Sequence, residues 1–348
     1  MTTATLAPYP ASVPELFAAS GETVRDLAGA DRSAWNGHII ESAGVMLGLA
    51  HWDGTLYLDR EAIVDPLRHL YDHAGEPRPD QTLVAYRESL STLLHEHAHF
   101  LGPEDASQEA AREAFTKPGS RPLEEGVTEA WAHDHLDEFI RRLGIDKVAP
   151  GINTVRTDGY YAAFVPAIRE LTTHLDTHNG FPPGHTLTLL NRQTAAGQFP
   201  LLTDLTCTAH CAEPTPESKA HLESTLRTSL ASLEPFELIP PQQATQNSLS
   251  TAAQLLTSLH QTTNHPLPGQ IDRGQAVRGG PHPGHADACT LPPPQDVTPT
   301  AAPSPHDTAF AGLPAPTHAS RPTTPPHGGP ARRPPNAPQA RKSFTRRE

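Results

Sequence analysis

Leu93-Leu94-His95-Glu96-His97-Ala98-His99-Phe100-Leu101-Gly102-Pro103-Glu104-Asp105 is the stretch on which the fold and chemistry of this chain turn. It contains H-E-x-x-H. On a helix, His95 and His99 sit four residues apart on one face, so both imidazoles reach a single metal ion. Glu96 lies about 100° further round, near enough to polarise a water on that metal. At about 100° per residue, Leu83, Tyr86, Leu90, Leu93, Leu94, Phe100 and Leu101 fall on the half opposite His95, whereas Glu88, Ser91 and Thr92 share its half. Such a helix buries its leucine face and turns the two histidines toward a polar space. His97 falls among the leucines and reads as a core histidine, not a ligand.

A catalytic zinc takes three protein ligands and keeps one position for water. Two features compete for the third place. The first is Leu123-Glu124-Glu125-Gly126-Val127-Thr128-Glu129-Ala130-Trp131-Ala132. On a helix Glu129, Ala132, Leu136 and Leu143 fall within about 40° of Glu125, with Phe139 at the margin, and Asp134, Asp137, Glu138 and Arg141 lie on the far side. Two carboxylates that begin an apolar stripe are costly unless something compensates them. A metal held by Glu125, with Glu129 accepting a hydrogen bond from a ligand histidine, would do so. Glu124, about 100° off the stripe, is the weaker candidate. The second feature extends the motif to H-E-x-x-H-x-x-G-x-x-D, in which the chain turns at Gly102 and returns Asp105 as the ligand.

The first arrangement resembles the gluzincin metallopeptidases, whose second helix supplies a glutamate from a motif similar to Glu125-Gly126, often with an acidic residue four positions on, as Glu129 is here. The second resembles the metzincins of the snapalysin type. Metzincins also need a methionine downstream of the motif, and this chain has only Met1 and Met46, both upstream. The gluzincin resemblance is therefore preferred. It covers residues 45–145 and implies Zn2+ bound by His95, His99 and Glu125, with Glu96 as general base. It also implies a Tyr or His from a later helix as oxyanion donor, for which Tyr161 is the candidate, and an edge strand just before the H-E-x-x-H helix that pairs with substrate backbone.

Outside these motifs the chain divides by composition. Residues 265–348 hold 19 of the 38 prolines and a net charge of +4, against −17 for residues 1–264. Lacking hydrophobic periodicity, 265–348 reads as a disordered tail that could recruit a partner. Residues 1–21 read as a flexible segment, leaving 22–264 as the domain. There, Val45, Leu47 and Leu49 alternate before Trp52-Asp53-Gly54-Thr55 and Leu56-Tyr57-Leu58, the pattern of a hairpin. Helices are predicted over 60–73, 80–102 (with Asp80 as N-cap), 106–115, 124–143, 159–177, 216–233 and 246–260. The expected fold class is α+β and zincin-like: a small sheet whose edge hairpin packs on the H-E-x-x-H helix, a second glutamate-bearing helix, and a mostly helical C-terminal half.

An acidic body repels phosphate backbones, which argues against nucleic acid as a partner. No stretch approaches the ~18 apolar residues of a membrane span. Three cysteines make no disulfide framework, and residues 1–21 lack a signal-peptide pattern, so a cytoplasmic location is expected. Cys207, Cys211 and His210 lack a fourth ligand for structural zinc, and the cysteines read as free thiols. His133 and His135 point away from the glutamate stripe and read as solvated. The expected function is peptide-bond hydrolysis by a zinc-activated water. The alternatives are a non-catalytic, zinc-stabilised binding module with a recruiting tail, a metzincin-like site with Asp105, and a chance motif that holds no metal.

Overall fold

The computed structural model describes residues 9–43, 46–210 and 215–264. The Pro-rich tail, Cys211 and Val45 lie outside the described residues. The fold is α+β and mostly helical, with a small sheet.

Helix α1 (Val13–Ala28) runs through the segment expected to be flexible, which corrects that expectation from Val13 onward. Val13, Leu16, Ser20, Val24 and Ala28 are buried at helical spacing. The surrounding Pro and Ala residues obscured that stripe. Pro14 falls in the first turn, where a missing N–H costs nothing. Ser12 caps the start through the Glu15 amide, and Gly29, at φ +62°, ends it.

Two small sheets follow. In one, β1 (Arg32–Ser33) pairs antiparallel with β5 (Leu101–Gly102). In the other, β2 (Ile39–Ser42), β3 (Gly48–Ala50) and β4 (Leu56–Asp59) lie in the order β2-β4-β3. The β3–β4 pair is the expected hairpin, antiparallel with Leu49 opposite Tyr57, and β2 pairs parallel with β4. Strand β3 is therefore an edge.

Residues 60–73 form a π-helical turn, Arg60–Val64, leading into α2 (Asp65–Asp72). Then come α3 (Asp80–Ala98), α4 (Gln108–Phe115), α5 (Ser120–Arg142) and a single turn, α6 (Ile145–Val148). Asp80 is the first helical residue and not the cap, a place taken by Pro79. The remaining helices are α7 (Val165–Asn179), α8 (His185–Asn191), α9 (Ala195–His210), α10 (Pro216–Ala231) and α11 (Pro241–Asn264). Sequence patterning gave no helix over 180–215, where Pro182-Pro183-Gly184 and Pro200 interrupt the apolar run.

Helices α3 and α5 pack side by side in the core, α5 against α7, and α3 also meets α1, α2 and β3. This placement changes the expected role of the α3 polar half. Ser91, Thr92, His95 and His99 do not face solvent but are buried with the leucines. Gly126 lets α5 approach α7. A Cβ there would lie 2.6 Å from Ile168 Cγ1 and 3.2 Å from Phe164 Cβ. Gly126→Ala should overpack that contact at about 1–3 kcal/mol, against about 1 kcal/mol gained in helix propensity, and so lower the urea midpoint of the metal-free protein. A raised midpoint would contradict this packing.

Among the described residues no helix is long and apolar enough to cross a membrane.

Candidate metal centre

Helix α3 delivers His95 and His99 one turn apart, and α5 delivers Glu125 opposite them. The two Nε2 atoms are 3.1 Å apart, and Glu125 Oε2 lies 3.4 Å from each. This triangle matches zinc closely. Ligand atoms about 2.0–2.2 Å from a tetrahedral ion are separated from one another by about 3.3 Å.

Each imidazole is held from behind. His95 Nδ1 donates to Glu129 Oε2 at 2.8 Å, and His99 Nδ1 donates to Glu124 Oε1 at 3.1 Å. With a metal bound, the proton of each ring would stay on Nδ1 and the Nε2 lone pair would be directed to the shared point, the arrangement typical of metal-bound histidine. Glu129 is satisfied in turn by the Tyr160 amide at 2.8 Å and by His133 Nε2 at 3.1 Å.

Glu125 differs. It is 0 % exposed, and its polar neighbours are the two imidazole Nε2 atoms 3.4 Å away, too long and poorly aligned for good hydrogen bonds. A buried carboxylate satisfied this weakly is expensive, and a cation is the usual remedy. Burial opposes its charge, but the His99 and His95 rings beside it hold its carboxyl well below the usual range. In the same way burial works against the His95 imidazolium, and Glu125 and Glu129 bring its pKa up to about 10. The donors present therefore fit a divalent ion: two directed imidazoles and one buried carboxylate.

Glu96 comes to the centre from the sheet side. Its Oε2 accepts from the Ala50 amide of edge strand β3 at 2.8 Å, and its buried Oε1 has no hydrogen-bond donor. Burial pushes its pKa up despite the His95 and His99 rings. A Cβ on Gly48 would meet Glu96 Cγ and Oε1 at 2.5 Å, so only glycine leaves room for this carboxylate beside β3.

The loop before α7 covers the His95 side. Tyr161 stacks on His95, with ring centroids 5.8 Å apart and an interplanar angle of 15°. Its φ of +52° places a non-glycine residue in the left-handed region. That strain costs on the order of 1 kcal/mol and recurs at functional positions. Burial, then the Glu125 charge, raise its pKa well above the ordinary phenol value, so it keeps its proton.

The structure thus brings together His95, His99, Glu125, Glu129, Glu96 and Tyr161. Asp105 is exposed beyond β5 and outside the group of donors, so it takes no part. Glu124 was ranked as a weaker ligand and proves to orient His99. The expectation that His133 is solvated is corrected: Nε2 meets Glu129 Oε1, an i,i+4 contact that its spacing could have revealed. His135 bonds the Trp131 carbonyl and stacks on that indole. Gly48, Ala50 and Tyr160 were not foreseen; a glycine inside an alternating strand was the available signal for the first.

His97 is a core histidine, as expected. Its Nε2 meets Ser20 Oγ at 2.9 Å, and its ring packs edge-on against Trp35. Burial holds its pKa down to about 3. An unfolded histidine titrates near about 6.5. Between these values only the unfolded chain takes up the proton, so this contribution to stability is complete above about pH 6.5 and is lost as pH falls toward about 3. His97→Gln should therefore flatten the dependence of the urea midpoint on pH between about 4 and 6.5. An unchanged slope would contradict a neutral buried ring.

Comparison with protein-family models, with curated proteins and with solved structures finds no match for this chain.

Proposed function

We propose that the protein is a zinc-dependent metallopeptidase of gluzincin type, with a zincin-like arrangement of edge strand, H-E-x-x-H helix and glutamate helix. The triangle of His95 Nε2, His99 Nε2 and the fully buried Glu125 Oε2 carries this reading. Three protein donors leave a position for water and substrate, which separates a catalytic site from a four-ligand structural one. Zinc, when bound, supplies a Lewis acid that brings the pKa of a coordinated water from 15.7 toward about 7.

The chain's own groups would do the rest. Glu96 Oε1 accepts the proton of the attacking water and returns it to the leaving amine, a transfer suited to a carboxyl whose pKa is raised by burial. The Ala50 amide fixes the other oxygen and so aims the first. Tyr161, protonated and packed on His95, would donate to the developing oxyanion. Glu129 and Glu124 hold the ligand rings in one tautomer. Edge strand β3 offers a backbone along which an extended peptide can pair.

One observation favours a second reading. His95 and Glu125 are both 0 % exposed. An enclosed metal suits a non-catalytic module in which zinc ties α3 to α5. The test is a peptide-library digest by the zinc-loaded full chain beside Glu96→Gln. Cleavage by the parent alone supports the peptidase. Zinc without cleavage in either protein supports the closed module.

A further inference from the structure

Away from the buried centre, four histidines from three helices converge on the surface. His174 and His178 stand one turn apart on α7, His210 lies on α9, and His260 lies on α11. Ring centroids are 3.9 Å apart for His174–His178, 5.1 Å for His174–His210 and 5.2 Å for His174–His260. His174, His178 and His260 each place a ring nitrogen within 4.8 Å of the other two. Zinc nitrogens in a tetrahedral site stand about 3.3 Å apart, a difference that small rotations of half-exposed rings remove.

Backbone carbonyls fix the orientation of two of the rings. His178 Nδ1 donates to the His174 carbonyl at 2.8 Å, and His260 Nδ1 donates to the Leu256 carbonyl at 2.7 Å. Both rings therefore carry the lone pair on Nε2. His174 Nε2 and His210 Nε2 are 2.9 Å apart and share one hydrogen. Four imidazoles packed this closely repel one another when charged. The C-terminal end of α7, capped by Gly180 just after His178, carries partial negative charge and adds a further attraction for a cation.

We propose that His174, His178 and His260, with His210 positioning His174, form a second site for a borderline divalent transition-metal ion, Zn2+ in the first instance, that ties α7, α9 and α11 together. Nitrogen donors without carboxylates select such ions over Mg2+ or Ca2+. The site is accessible to solvent and shares no ligand with the buried centre.

Calorimetric titration of the metal-free full chain with Zn2+ at pH 7.5 tests this beside three variants. His178→Gln/His260→Gln should lose one zinc equivalent that the parent binds. Glu125→Ala should keep that equivalent, and so should His282→Ala/His285→Ala, which removes two tail histidines. Because Glu125→Ala reports on the buried centre and the histidine pair on the surface site, failure of either is distinguishable from failure of the other. Should the double variant fold poorly by circular dichroism, His178→Gln alone, at an exposed position, should weaken the same event by about tenfold or more. Unchanged zinc binding in the histidine variants, or loss of the event in the tail variant, would overturn the proposal.

Discussion

Glu96→Gln is expected to retain one zinc per chain in the buried centre and to lower peptide hydrolysis by about 10²–10⁴-fold. The amide oxygen can still accept from the Ala50 amide, so the side chain keeps its place beside β3. The other atom becomes a donor and can no longer take a proton. Since burial already raises the Glu96 pKa, replacing the carboxylate with a neutral amide should not weaken the fold. Zinc content, circular dichroism and kcat on a cleaved peptide, measured together, separate loss of chemistry from loss of structure. Equal kcat in parent and variant would remove Glu96 from the mechanism.

Gly48→Ala should give the second largest loss, about 10²-fold in kcat, although residue 48 bears no reactive group. The new methyl would lie 2.5 Å from Glu96 Cγ and Oε1 and 2.7 Å from Cδ. Strand β3 is held against β4, with Gly48 opposite Leu58, so the glutamate side chain must move instead. The proposed zinc ligands come from α3 and α5 and are untouched, so zinc binding should remain. The two substitutions act on one group and should not add: Gly48→Ala in the Glu96→Gln background should cost almost nothing more. Additive losses, or a Gly48→Ala enzyme of full activity, would contradict the placement of Glu96 beside β3.

How much of this was legible depended on how local each feature is. Helices α3 and α5 declared themselves through long apolar periodicity. Phase along them was enough to bring His95, His99, Glu125 and Glu129 to shared faces. The β3–β4 hairpin was visible because Asp53-Gly54 sits between alternating residues. Helix α1 was missed because Pro and Ala hid a stripe whose partners, Trp35 and His97, are remote in sequence. The role of Glu124 depends on which carboxylate faces the His99 ring, a matter of packing that helix phase does not resolve, whereas the i,i+4 spacing of Glu129 and His133 was there to be read. The histidine cluster was illegible for the same reason. His174 and His260 belong to helices far apart in the chain, and only the stacking of α11 on α7 makes them neighbours. Tyr161 was chosen from resemblance, and its left-handed backbone, set by the loop over His95, is not encoded in any local pattern.

The most direct measurement is the zinc content of the purified full chain by elemental analysis, beside Glu125→Ala and Asp105→Ala in a background of His178→Gln/His260→Gln, which removes the surface cluster. One zinc per chain, lost with Glu125→Ala and kept with Asp105→Ala, is the expected result. Zinc lost with Asp105→Ala and kept with Glu125→Ala, or no stoichiometric zinc after reconstitution, would contradict the buried centre and the chemistry built on it.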